Sequence, residues 1–118
     1  MNLVVLGSTG SIGVQTLDVI ARLRRAGKAF RVVGLSAHTN CELLAEQIEA
    51  VCPRVVSLAA GEGAERLRRR FPRVRVLEGD GGPAELATLE EIDVVVNAIV
   101  GAAGLAATLA ALSRGRTV

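Results

Sequence analysis

Three glycines spaced G-x-x-G-x-x-G, in Gly7-Ser8-Thr9-Gly10-Ser11-Ile12-Gly13, follow directly on the apolar run Leu3-Val4-Val5-Leu6. A short β-branched run that breaks into glycines and then into a 3.6-residue pattern reads as a strand turning tightly into a helix. The chemistry suited to such a turn is the cradling of a phosphate. Gly7 is expected to make the turn, Gly10 to let backbone approach a pyrophosphate, and Gly13 to bring the helix close to the strand. Free N–H groups and the positive end of the helix dipole then face the anion. The first gap is one residue longer than in the common G-x-G-x-x-G. The plainer alternative is a glycine-rich turn that binds nothing.

Two further stretches combine small polar residues or glycine at predicted strand ends: Ser36-Ala37-His38-Thr39-Asn40 and the segment from Asn97 and Ala98 to Gly104. The first lies where a nucleotide's ribose would sit, about 20 residues beyond the last glycine. It contains no carboxylate. Its nearest acid, Glu42, belongs to a Thr39-Asn40-Cys41-Glu42 pattern that predicts a capping box. An acid repels a 2′-phosphate, whereas Ser36, Thr39 and Asn40 can donate hydrogen bonds and His38, the single histidine, can add positive charge. The segment therefore points to NADP rather than NAD, although it lacks the arginine or lysine common at such sites.

Other reactive groups carry less. Ser8 and Ser11 have no histidine placed as a base, so nucleophilic catalysis is not expected. Glu78, Asp80 and Glu85 read as a solvated loop rather than a metal site. The run Arg66, Arg68, Arg69, Arg70, Arg73 and Arg75 has one aromatic neighbour and is offset by Glu62 and Glu65, which marks a solvated face and not a nucleic-acid surface. Cys41 and Cys52 stand without histidine or further cysteine at metal-ligand spacing and read as reduced thiols on one helix.

The elements that must position the glycine turn alternate regularly. Strands are predicted over residues 2–7, 30–35, 55–58, 74–77 and 93–100. Helices follow each, after Ser11, after the capping box, over 62–71, around Leu86 and Leu89 with Pro83 at its start, and over 102–113. In the second helix Leu43, Leu44, Gln47, Ile48 and Val51 form the inward face. Five strand–helix alternations with right-handed crossovers give an α/β, Rossmann-like, doubly wound parallel sheet in three αβα layers. In such sheets a ligand lies outside the carboxyl ends of the strands, where strand order reverses. Residues 7–13, 36–40 and 97–104 should line one crevice there.

Composition agrees with one domain over residues 1–118. Half the residues are hydrophobic but only Phe30 and Phe71 are aromatic, so the core must be aliphatic. The formal net charge of +2 gives no reason to expect a nucleic-acid partner. No apolar run approaches the ~20 residues of a membrane span, and a cytoplasmic location is expected. Arg116-Thr117-Val118 reads as the start of another strand, as in the front part of something longer.

The glycine turn followed by Thr16-Leu17-Asp18-Val19, together with Asn97-Ala98-Ile99-Val100-Gly101-Ala102-Ala103-Gly104-Leu105 followed by Thr108-Leu109-Ala110-Ala111-Leu112, resembles the 1-deoxy-D-xylulose 5-phosphate reductoisomerase family. The second motif is the more specific. The resemblance covers the whole chain and corresponds to the family's N-terminal NADPH-binding domain. It implies an enzyme of non-mevalonate isoprenoid biosynthesis that rearranges 1-deoxy-D-xylulose 5-phosphate with magnesium or manganese. The enzyme then reduces the product with NADPH to 2-C-methyl-D-erythritol 4-phosphate. It also implies a homodimeric full enzyme acting on a small phosphorylated sugar, and pyrophosphate contacts at Thr9, Gly10, Ser11 and Ile12. In the loop where the family typically reads Ala-Gly-Lys-Asn, Asn40 matches, while His38 and Thr39 depart from the pattern. The family's metal ligands and lid have no counterpart in this sequence, so cofactor binding without turnover is expected. Two other readings stay open on residues alone: a non-catalytic nucleotide-binding regulatory module, and another NADP enzyme such as a semialdehyde dehydrogenase.

Overall fold

A computed structural model describes residues 1–60 and 62–118. Ten elements alternate along the chain: β1 Asn2–Leu6, α1 Ser11–Arg25, β2 Arg31–Ala37, α2 Cys41–Val51, β3 Val55–Leu58, α3 Gly63–Arg70, β4 Arg75–Glu78, α4 Gly82–Ala87, β5 Val94–Asn97 and α5 Ala102–Ser113. The strands form one parallel sheet in the order β4-β3-β2-β1-β5. The chain winds outward from β1 to β4 and then returns to add β5 on the other side of β1. Strand order therefore reverses beside β1.

Residues alternate across the sheet, and each face has its own core. Leu3 and Val5 of β1 pack with Val32, Leu35 and Val56 against Ile20, Leu44, Ile48 and Leu67 of α1, α2 and α3. Val4 and Leu6 pack with Val33 and Val95 against Leu86, Ala87, Ala107 and Ala111 of α4 and α5. Helices thus cover both faces, which gives the expected three αβα layers. The burial of β1 through Val4, Val5 and Leu6 fits a central parallel strand, whose run need not alternate with polar residues.

Several boundaries differ from the sequence expectation. β1 stops at Leu6, one residue earlier, because Gly7 takes a φ of 74° and leaves the ladder. β2 runs two residues further, because Ser36 and Ala37 stay paired with Ser57 and Leu58 and are buried. β5 is half the expected length. Its pairing ends at Leu6 with Asn97, whose side chain then turns the backbone, as described below. The capping box does not form: Asn40 is the N-cap of α2, its Oδ1 accepting the Leu43 N–H at 3.1 Å, and Glu42 lies in the first turn. Asparagine caps at least as well as threonine, so the start of the helix moves one residue on. The alternating β4 is at the sheet edge, as its pattern predicts.

Candidate dinucleotide site

The turn from β1 into α1 is built by pressing Ser8 between three elements. Its N–H donates to the Ser36 carbonyl of β2 at 2.8 Å. Its hydroxyl donates to Gln47 Oε1 of α2 at 2.7 Å, and its carbonyl accepts from Gln47 Nε2 at 2.8 Å. On the third side lies α1: a Cβ at Gly13 would overlap the Gly7 carbonyl oxygen and sit 2.6 Å from Ser8 Cα, so only glycine lets the helix come this close. Gly7 donates its N–H to Ser36 Oγ at 3.0 Å, and a Cβ there would lie 3.0 Å from the Ala98 carbonyl oxygen.

Past Ser8 the turn opens. Gly10 donates to the Gly7 carbonyl and accepts the Val14 N–H, which makes it the N-cap of α1. No side chain caps this helix. The N–H groups of Ser11, Ile12 and Gly13 have no carbonyl four residues back to accept them, and the helix dipole adds partial positive charge there. Thr9 is half-buried, and Gly10, Ser11 and Ile12 are exposed. An anion fits this donor set.

The loop after β2 places His38, Thr39 and Asn40 at the surface. Its backbone is tied to the loop after β3, with the Ala37 and His38 carbonyls accepting from Ala59 and Ala60 at 3.0 and 2.8 Å. Asn40 uses its side-chain oxygen to cap α2 and keeps its amide nitrogen for other partners. Ser36 differs from its neighbours. At 1% exposure its side chain faces Gly7 and not the crevice. It was expected to donate to a ligand, but its geometry makes it a support for the glycine turn.

Asn97 and Ala98 form the third wall. Ala98 extends the contact with β1 through its N–H to the Leu6 carbonyl at 2.9 Å. Every polar group of the Asn97 side chain is engaged: Nδ2 donates to the Gly104 carbonyl and to Thr108 Oγ1, both at 2.7 Å, and Oδ1 accepts the Ile99 N–H at 3.1 Å. The expected ligand contact of this side chain gives way to a clamp between the loop and α5. Val100, Gly101 and Ala102 remain exposed beyond it.

The three stretches expected to line one crevice thus meet at the carboxyl ends of β1, β2 and β5. Gln47, expected only on the inward face of α2, holds Ser8 through two hydrogen bonds. A primary amide among leucines, isoleucine and valine was the available signal, since a buried polar group needs partners. Glu78 and Glu85 pair with Arg68 and Arg75 at 3.1 and 3.4 Å. Among the described residues no group of three or more His, Cys, Asp or Glu could hold a metal ion, and no helix is long and apolar enough to cross a membrane.

A family model described as 1-deoxy-D-xylulose 5-phosphate reductoisomerase matches residues 3–118. Among curated relatives of that name, the one from Geobacter sp. (strain M21) is 47% identical over 119 residues, covering 99% of this chain and 30% of the relative. The one from Thermodesulfovibrio yellowstonii is 40% identical over 115 residues, covering 98% and 29%. A crystal structure of DOX-P reductoisomerase with NADPH, fosmidomycin and magnesium superposes with a TM-score of 0.88 at 32% identity, covering 98% of this chain and 28% of that one. The Zymomonas mobilis enzyme in complex with NADPH gives 0.84 at 34% identity, covering 98% and 30%. The chain spans under a third of the length of these relatives.

Proposed function

The chain belongs to the 1-deoxy-D-xylulose 5-phosphate reductoisomerase family, and from that premise we propose that residues 1–118 are the NADPH-holding domain of such an enzyme. The observation that carries this reading is the uncapped start of α1, held through Ser8 by Gln47, where no side chain accepts the first backbone N–H groups and Ser11 and Ile12 lie exposed. Those groups, with Thr9, hold the pyrophosphate. His38, Thr39 and the free amide nitrogen of Asn40 receive the 2′-phosphate, with no carboxylate in the loop to oppose it. Ser36 and Asn97 position the two flanking segments, and Ala98 forms the wall against Gly7. When bound, NADPH supplies the hydride that reduces the rearranged sugar phosphate.

The whole enzyme's work is part of the same proposal: conversion of 1-deoxy-D-xylulose 5-phosphate to 2-C-methyl-D-erythritol 4-phosphate by a homodimer. The magnesium of the solved relatives finds no ligand set among the described residues, so no metal-dependent step is assigned to them.

A titration of the chain with NADPH and NADH side by side, followed by nicotinamide fluorescence, tests the reading. NADPH is expected to bind at least about tenfold tighter than NADH, a difference of ~1.4 kcal/mol. Equal affinities would remove the 2′-phosphate assignment, and binding of neither would remove the cofactor assignment altogether.

A further inference from the structure

We propose that Gln47, a residue of α2 outside the glycine turn, is a positioning residue for the dinucleotide, because its amide fixes both polar groups of Ser8 that β2 leaves free. This rests on the cofactor reading above. Gln47 is 8% exposed and Ser8 is fully buried, so the pair of hydrogen bonds lies in the interior. The orientation of the amide is determined by chemistry: the Ser8 carbonyl can only accept, so Nε2 must face it, and Oε1 is left to take the hydroxyl proton.

The effect reaches the ligand through very little chain. Ser8 immediately precedes Thr9, and the N-cap Gly10 follows. The Ser36 carbonyl fixes the N–H side of Ser8, and Gly13 fixes its Cα side. Among the described residues only Gln47 holds the carbonyl, whose plane is also the plane of the Thr9 N–H. Rotating that peptide would redirect the Thr9 amide and tilt the Gly10 cap away from the anion. Two hydrogen bonds from one side chain remove this freedom before any ligand arrives, so the cost of ordering is not charged to binding. Leu44 and Ile48 of the same helix belong to the core on that face of the sheet.

The test compares Gln47→Met, which keeps length and approximate volume but loses both partners, with Ile48→Val on the same helix. In Gln47→Met the NADPH dissociation constant is expected to rise about tenfold, as for loss of a buried hydrogen-bonded amide. The amide proton–nitrogen NMR signals of Ser8, Thr9, Gly10 and Ser11 should move or broaden in the cofactor-free chain. Ile48→Val should lower the melting temperature yet leave both readouts unchanged. If Gln47→Met does not fold, Ser8→Ala replaces it, removing the hydroxyl alone, with a smaller rise of about threefold. Turn signals that stay in place, or signals that move while affinity stays within about twofold of the native chain, would overturn the proposal. Should the native chain bind no NADPH, the cofactor reading falls, and the cofactor-free spectra still decide whether Gln47 sets the turn.

Discussion

Two strand-to-helix turns flank the paired ends of β1 and β5, and both bring a helical glycine onto a carbonyl just beyond the strand: Gly13 onto Gly7, and Gly104 onto Ile99. Neither helix has a side-chain cap. They differ in what holds them. The first turn is fixed from outside, by Ser36 of β2 and Gln47 of α2 acting on Gly7 and Ser8. The second is fixed from within, by Asn97 reaching over to its own helix at Gly104 and Thr108. A turn locked by its neighbours cannot yield without disturbing the sheet, whereas a turn locked to its own helix can shift with that helix. The first suits a rigid receptor for an anion. The second leaves Val100 86% exposed at its tip.

Alanine at each helical glycine separates the two most sharply. Gly13→Ala is expected to abolish cooperative folding or cost about 4 kcal/mol or more, because the Gly7 carbonyl has nowhere to go. Gly104→Ala should cost about half as much, since the 99–101 segment has solvent beyond it. Urea unfolding measures both, and equal losses would mean that the two turns are equally rigid. Next in size is Asn97→Leu, which strands the Thr108 hydroxyl and the Gly104 carbonyl at a cost of about 2–3 kcal/mol. Hydrogen exchange should quicken at Ile99 but not at Gly7 or Ser8; faster exchange at all three would mean that the turns share one support. The smallest effects come from the two N-cap glycines. Gly101 sits at φ 82°, ψ −162°, a region closed to side chains, so Gly101→Ala should cost about 1–2 kcal/mol. Gly10 sits at φ −77°, ψ 171°, and Gly10→Ala should change thermal stability by no more than about 0.5 kcal/mol while weakening NADPH binding.

The fold was legible because its signals are local. β3 and α5 fall where periodicity and breakers put them, and the three glycines announce the turn. β4 is the edge strand, with Val76 and Leu77 packed on opposite faces of the sheet and Arg75 and Glu78 exposed at its ends. What was not legible is where short polar side chains spend their hydrogen bonds. Ser36 and Asn40 read as donors to a ligand and Asn97 as part of the crevice wall, and each also has an obligation to backbone: Ser36 to the Gly7 N–H, Asn97 to Ile99 and Gly104, and the Asn40 oxygen to Leu43. That of Ser36 arises only when strands 29 residues apart come together, that of Asn97 where β5 ends and the next N–H lacks an acceptor, and that of Asn40 where α2 begins. The same cause hid Gln47, whose partner is 39 residues away.

β1 draws its two neighbours from very different distances. Leu3 pairs with Val32 on one side and with Val94 on the other, and the Asn2 N–H reaches Asp93 across 91 positions. During synthesis β1 therefore has β2 within reach early, while its other edge waits until residues 94–97 emerge. Over that interval an apolar strand shows a row of unsatisfied N–H and C=O groups, a template for a stray strand from another molecule. Closing so long a loop brings no stabilisation until the pairing is complete, which makes the arrival of β5 the slow step of sheet assembly. Aggregation during refolding should start at this edge and end once residues 94–97 have docked.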